Sequence, residues 1–172
     1  YLAAAEKISR LAVGGALSSP GGDTIILAPD LTQEQRFASL PSGLRGGTSF
    51  SYNFPVDAEY EIQLRLMRDS RDRIAGLYDV HELQILLDKE EVKTFKVIPP
   101  TGEDETGVDT DFNARIKVKA GPHTVAAGFV KKPWTVMPTE HAPYQAHFNM
   151  ERHPRQQPGL YTVTINGPYG TQ

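Results

Sequence analysis

The chain contains no cysteine in its 172 residues. That excludes a disulfide framework, a thiolate zinc site, a cysteine nucleophile and a Cys-x-x-Cys-His haem attachment, so no haem is expected in this chain. A basic excess is also lacking: 18 Lys and Arg stand against 21 Asp and Glu, for a formal charge of −3. Such a balance gives no general pull toward polyanions, and nucleic acid drops out as an expected partner. No apolar run approaches the roughly 20 residues needed to span a bilayer. Tyr1 stands where an initiator methionine would, and the chain reads as a fragment excised from a longer polypeptide that carries any export signal. There is no Gly-x-Ser-x-Gly elbow and no phosphate-binding glycine motif ahead of a helix. An enzyme therefore has no positive support, and the chain is read as non-catalytic.

Short alternating runs make up most of the chain. Tyr60, Ile62, Leu64 and Leu66 alternate with Glu59, Glu61, Gln63 and Arg65, one buried face and one wet. Glu82 to Leu87 and Val92 to Val97 have the spacing of a hairpin joined by Asp88-Lys89-Glu90-Glu91. Ala114, Ile116 and Val118 form another row, which turns at Ala120-Gly121-Pro122 into Val125, Ala127 and Phe129. Tyr161, Val163 and Ile165 supply the last inward row, stopped by Asn166-Gly167-Pro168. Further strands are expected at Thr24 to Ala28 and Thr48 to Phe54, the latter after a glycine turn at Arg45-Gly46-Gly47. This pattern predicts an all-β antiparallel β-sandwich, jelly-roll-like. Leu2, Ala5, Ile8, Leu11 and Ala12 have helical spacing, which adds a short N-terminal helix. Residues 1–22 are thus expected to be helix and linker from a preceding domain, and residues 23–172 the sandwich.

Two long insertions interrupt the strands, and long loops in compact domains commonly carry function. Pro99 to Asp111 holds Glu103, Asp104, Glu105, Asp109 and Asp111, with an Asp-x-Asp spacing that lets two carboxylates approach one calcium ion; the other reading is a solvated acidic loop. Lys131 to Gly159 carries Trp134, Tyr144 and Phe148, rings that either stack on a sugar or pack the loop against itself. His141, His147 and His153 lie there beside Glu140 and Glu151, at spacings that match no zincin pattern. Arg68, Asp69, Arg71, Asp72 and Arg73 read as a solvated surface, although an Arg-Asp pair can also grip a sugar hydroxyl.

The order of several segments resembles a known module. These are Leu44-Arg45-Gly46-Gly47, then Phe54-Pro55-Val56-Asp57-Ala58-Glu59-Tyr60, His81-Glu82-Leu83, Lys119-Ala120-Gly121-Pro122-His123-Thr124-Val125, and Thr164-Ile165-Asn166-Gly167-Pro168-Tyr169. As an ordered set they resemble the sandwich module of planctomycete-type multidomain proteins that also carry cytochrome c domains, a module similar to calcium-dependent xylan-binding carbohydrate-binding modules. Tyr1 to Gly14 looks like the segment joining a preceding helical domain to it. The resemblance implies a carbohydrate-binding jelly roll exported to the periplasm, secreted or held at the cell surface, with polysaccharide or oligosaccharide and neighbouring domains of the same polypeptide as partners.

The expected ligand residues are Trp134, Tyr144 and Tyr78 as stacking rings and Arg45 as a polar contact. Calcium would be held by Asp109 and Asp111 with help from Glu103, Asp104 or Glu105. The alternative is a structural scaffold that docks neighbouring helical and cytochrome domains. A third, poorer reading is a hydrolase built on His141, His147 and Glu140, which requires those side chains to converge.

Overall fold

The computed structural model describes residues 21–34, 39–102, 104–132 and 155–170. The expected N-terminal helix lies outside them. Among the described residues no helix is long and apolar enough to cross a membrane. The strands are β1 (Gly21–Ile26), β2 (Leu44–Phe54), β3 (Ala58–Leu66), β4 (His81–Leu87), β5 (Glu90–Val97), β6 (Asn113–Val118), β7 (Gly121–Val130) and β8 (Leu160–Tyr169). Gly21 and Gly22, expected in a linker, instead open β1 and pair with Gly167 and Asn166.

Two antiparallel sheets, ordered β1-β8-β3-β6 and β2-β7-β4-β5, form the sandwich. Pairing is nested: β1 with β8, β2 with β7, β3 with β6, and β4 with β5. The chain behaves as one long hairpin with its tip at β4–β5, rolled so that successive pairs fall in opposite sheets. That is the jelly roll expected from the alternation.

β3 shows why these residues make strands. Tyr60, Ile62, Leu64 and Leu66 are all buried while Glu59, Glu61, Gln63 and Arg65 are partly exposed. A period of two places every apolar side chain of β3 on the inner face, where Val125, Ala127 and Phe129 of β7 and Val163 and Ile165 of β8 join the same core. A smaller cluster of Leu40, Leu44, Leu86 and Ala126 lies apart from this core. It explains why Leu86 and Ala126, out of phase with the inner rows, are nevertheless buried.

Local chemistry shifts two expected boundaries and the facing of one side chain. Asp88 and Lys89 both have positive φ, 51° and 73°, which makes a two-residue hairpin turn that matches strand twist. β5 therefore begins at Glu90 rather than after a four-residue loop. Tyr161 is exposed rather than inward, because the β3–β8 ladder slips between Arg65 and Leu66 and sends Leu160 inside in its place. β8 also runs past Asn166 to Tyr169, with a second register shift opposite Glu59 and Glu61 and a cis Gly167-Pro168 bond.

The β4–β5 turn is fixed by its own aspartate. Asp88 Oδ1 accepts the Thr124 amide at 2.8 Å, and Oδ2 meets His123 Nδ1 at 2.5 Å. His123 Nε2 faces the Lys119 carbonyl at 3.1 Å, which only accepts. The bond from His123, then the Thr124 amide, holds the Asp88 carboxyl below the usual carboxylate range. This contribution is present above the ordinary aspartate range and disappears as pH falls through the depressed value. Asp88→Ala is expected to melt about 3 °C lower than the parent at neutral pH, the worth of roughly one net hydrogen bond. Thermal melts at pH 7 and pH 3 check it, the difference shrinking at the lower pH.

Antiparallel pairing puts all the long connections at one end. Residues 27–43, 67–80, 98–112 and 131–159 link strands there, while the turns at 55–57, 88–89 and 119–120 close the other end. The described ends of both sequence insertions therefore lie at the same end of the sandwich.

Candidate functional site

At the loop-bearing end, β2 begins with a bulge. Arg45 pairs with Phe129 and Thr48 with Ala127, so that Gly46 and Gly47, at φ +57° and +72°, together stand opposite Gly128 and β2 carries one extra residue. The expected glycine turn is thus an irregularity inside β2. It turns Arg45 into the protein, where it is buried. Its guanidinium lies 4.6 Å from the centre of the Phe129 ring and donates to the carbonyls of Pro158 at 3.1 Å and Gln33 at 3.4 Å, and to His81 Nδ1 at 3.3 Å. Burial lowers the Arg45 pKa to about 10, partly opposed by Glu34, which leaves it charged at neutral pH.

That contact settles the state of His81. A guanidinium has no acceptor, so Nδ1 must accept and the ring is neutral with its proton on Nε2. Burial, followed by the charges of Arg45 and Lys132, pushes the His81 pKa down to about 4. Above pH 6.5 the ring is neutral in folded and unfolded chains alike. Between pH 6.5 and about 4 only the unfolded chain takes up the proton, and stability falls by up to about 1.4 kcal/mol per pH unit. His81→Gln is expected to flatten that part of a stability-versus-pH curve measured by urea unfolding.

Two further buried side chains tie the loops together. Gln33, at φ +51°, donates to the Leu160 carbonyl at 2.7 Å and accepts the amides of Leu160 at 2.8 Å and Gly47 at 3.0 Å. It thereby bridges the β2 bulge to the start of β8. Arg155 donates to the carbonyls of Pro29 at 2.8 Å, Leu31 at 2.5 Å and Thr32 at 3.0 Å. The 27–43 and 131–159 connections are thus anchored to each other by polar groups taken out of water, which carries weight because each would be costly to leave unmatched.

Over this platform lies a cleft of about 220 Å³. Its walls include Glu34, Arg45, Tyr78, Asp79, His81, Lys131, Lys132, Gln156 and Gln157, drawn from three loops and the ends of β2, β4 and β7. Asp79 is ion-paired with Lys132 and accepts the Val80 amide at 2.7 Å; these bonds lower its pKa. Tyr78 is 79% exposed. An exposed ring beside a cleft rich in amides, carboxylates and ammonium groups can offer both a flat apolar contact and directional hydrogen bonds.

The structure brings together two of the residues singled out in the sequence, Tyr78 and Arg45, although Arg45 is held mostly by protein partners. Trp134, Tyr144, Phe148, His141, His147, His153, Glu140 and Glu151 lie outside the described residues, as does Glu103. Gln33 and Arg155 were missed, since nothing in a single glutamine or arginine in a polar stretch announces burial, and so were Gln156 and Gln157, whose place beside the cleft comes only from the fold.

The acidic connection 98–112 is arranged differently from a metal cage. Asp109 is buried; its Oδ2 accepts the Leu66 amide at 2.7 Å, and its Oδ1 lies 3.0 Å from Arg68 Nη2 and 3.6 Å from Arg65 Nη1. Asp104 Oδ1 accepts the Thr106 amide and hydroxyl, the Glu105 carboxylate accepts the Ile74 amide, and Asp111 is exposed. Among the described residues no group of three His, Asp or Glu side chains could hold a metal ion. Calcium takes six to eight oxygens. The described carboxylates do not fit that ion, because the buried one is already paired with two arginines, those of Asp104 and Glu105 are taken by separate partners, and Asp111 is exposed. Arg68, expected on a solvated surface, instead turns inward onto this connection.

No protein-family pattern and no curated protein matches the chain. Some solved structures align with it at low identity. A family 35 carbohydrate-binding module from Clostridium thermocellum aligns over 86% of this chain and 98% of its own, at 15% identity and a TM-score of 0.41. The CBM36-1 domain of a multidomain xylanase from the hindgut metagenome of Trinervitermes trinervoides aligns over 88% of this chain and 100% of its own, at 10% identity and 0.38. The C-terminal domain of EclA, described as a sugar-binding protein, aligns over 86% and 79%, at 9% identity and 0.36. Likeness at this level fixes neither a ligand nor a site, and the β-sandwich rests on its own strand pairing.

Proposed function

We propose that the chain is a non-catalytic carbohydrate-binding module that holds a polysaccharide or oligosaccharide in the cleft at its loop-bearing end. The observation that carries this is Tyr78, a ring left 79% exposed beside a cleft lined with hydrogen-bonding side chains. A pyranose ring has an apolar C–H face and a rim of hydroxyls. Tyr78 supplies a surface for the first, and Glu34, Gln156, Gln157 and the Asp79–Lys132 pair supply partners for the second. Arg45 and His81 form the floor, and Trp134 and Tyr144 remain candidate rings for the same ligand.

The finer context rests on the sequence resemblance alone: a larger extracytoplasmic, cytochrome-containing polypeptide, exported to the periplasm, secreted or held at the cell surface. Binding of the purified module to a panel of plant and algal polysaccharides, by affinity electrophoresis and pull-down on insoluble fibres, tests the reading. Retention on at least one glycan, competed by its soluble oligosaccharides, is expected. No retention across the panel would sink it.

A second reading, a scaffold that docks neighbouring domains, is favoured by apolar side chains left in the open. Ile26 on edge strand β1 is 64% exposed, and Tyr161 on the adjacent β8 is 39% exposed. Substitution of Ile26 and Tyr161 by serine separates the two: the scaffold reading expects loss of contact with the flanking domains, and the glycan reading expects retention on polysaccharide to stay unchanged.

A further inference from the structure

The 98–112 connection gathers backbone carbonyls and a buried carboxylate around positive side chains, chiefly that of Arg68. Arg68 follows β3 closely and turns its guanidinium into the connection, with the side chain only 20% exposed. Three oxygens surround its Nη2: the Glu105 carbonyl at 3.0 Å, the Thr106 carbonyl at 3.3 Å and Asp109 Oδ1 at 3.0 Å. Its Nη1 donates to the Asp72 carbonyl at 3.0 Å, and Nε stands 3.7 Å from Asp72 Oδ1. Carbonyls and carboxylates converging from two loops are the kind of donor set that a hard cation gathers. Here the five fixed N–H donors of a guanidinium meet it, and Arg65 Nη1 adds a bond of 2.6 Å to the Asp109 carbonyl.

We infer that Arg68 is the resident cation of this loop end, and that the folded module holds the 67–80 and 98–112 connections together without calcium. The inference does not depend on what the cleft binds. A metal would have to displace two guanidinium groups from Asp109, whose Oδ2 is already committed to the amide at the end of β3. Fixed positive charge in the site both satisfies the oxygens and repels a divalent ion.

Thermal melts of the intact 172-residue chain, in EDTA and again in millimolar calcium chloride, test it together with two variants. The parent is expected to melt at the same temperature in both buffers. Arg68→Gln, neutral and similar in reach, is expected to melt several degrees lower in EDTA, and Arg68→Lys, which keeps the charge, to recover part of that loss. A rise of the parent's melting temperature in calcium would overturn the inference. So would an Arg68→Gln variant as stable as the parent, or a lysine variant no better than the glutamine one.

Discussion

Replacing Tyr78 with alanine is expected to weaken glycan retention roughly thirty-fold while leaving the fold untouched. The ring is 79% exposed and belongs to no core cluster, so its removal takes almost no buried area from the folded chain. In a complex, the same ring would be covered by a sugar face. Losing that apolar burial costs about 2 kcal/mol, and about 1.4 kcal/mol is tenfold in affinity. Isothermal titration with the best oligosaccharide from the panel, paired with a thermal melt, separates the two effects. Tyr78→Phe, which keeps the ring, is expected to retain most of the affinity. An alanine variant that binds as tightly as the parent would remove Tyr78 from the site and take with it the main support for placing a glycan in this cleft.

The largest loss of stability is expected from a single methyl group. In Gly47→Ala the new Cβ would lie 1.9 Å from the Ala127 carbonyl oxygen, a backbone atom of the paired strand that cannot rotate away. The residue also sits at φ +72°, where an L side chain is strained. Relief requires opening the β2–β7 bulge, which breaks the Gly47 amide bond to Gln33 and moves Arg45 away from His81. A cost of about 3 kcal/mol or more follows, roughly a 10 °C drop in melting temperature for a domain of this size. Because the same bulge aims Arg45 at the floor of the cleft, residual folded protein is also expected to bind glycan more weakly. Gly43→Ala is the matching control. It too has positive φ, but open space surrounds its Cβ, so it is expected to show the backbone cost alone.

Much of the fold was legible in the sequence because burial on one face of a strand writes itself as a period of two. β3 and β6 follow that rule from the alternating residues themselves, whereas Val125 to Phe129 of β7 are all buried because a second cluster covers Ala126. Where a bulge adds a residue, the parity changes and the reading fails: Tyr161 shares its phase with Val163 in the sequence, yet the slip beside Leu66 exposes it. The candidate site was only half legible. Tyr78 and Arg45 could be named as an aromatic and a cation in loop-rich stretches, but a single sequence carries no signal that Gln33, Arg155 and His81 converge from positions far apart. For the acidic connection, composition suggested oxygen ligands and was silent about which charge would answer them.

The sequence by itself determined the strand periodicity, the all-β class, the long connections and the absence of thiol chemistry, since each follows from residue types and their local spacing. Tertiary structure alone decided the nested strand order, the gathering of four long connections at one end, and the partners of the buried charges. Those depend on which distant strands share hydrogen bonds. Asp109 makes the difference concrete: within its own loop it is one carboxylate of an Asp-x-Asp pair, and only the return of β3 alongside it brings Arg65 and Arg68 within reach.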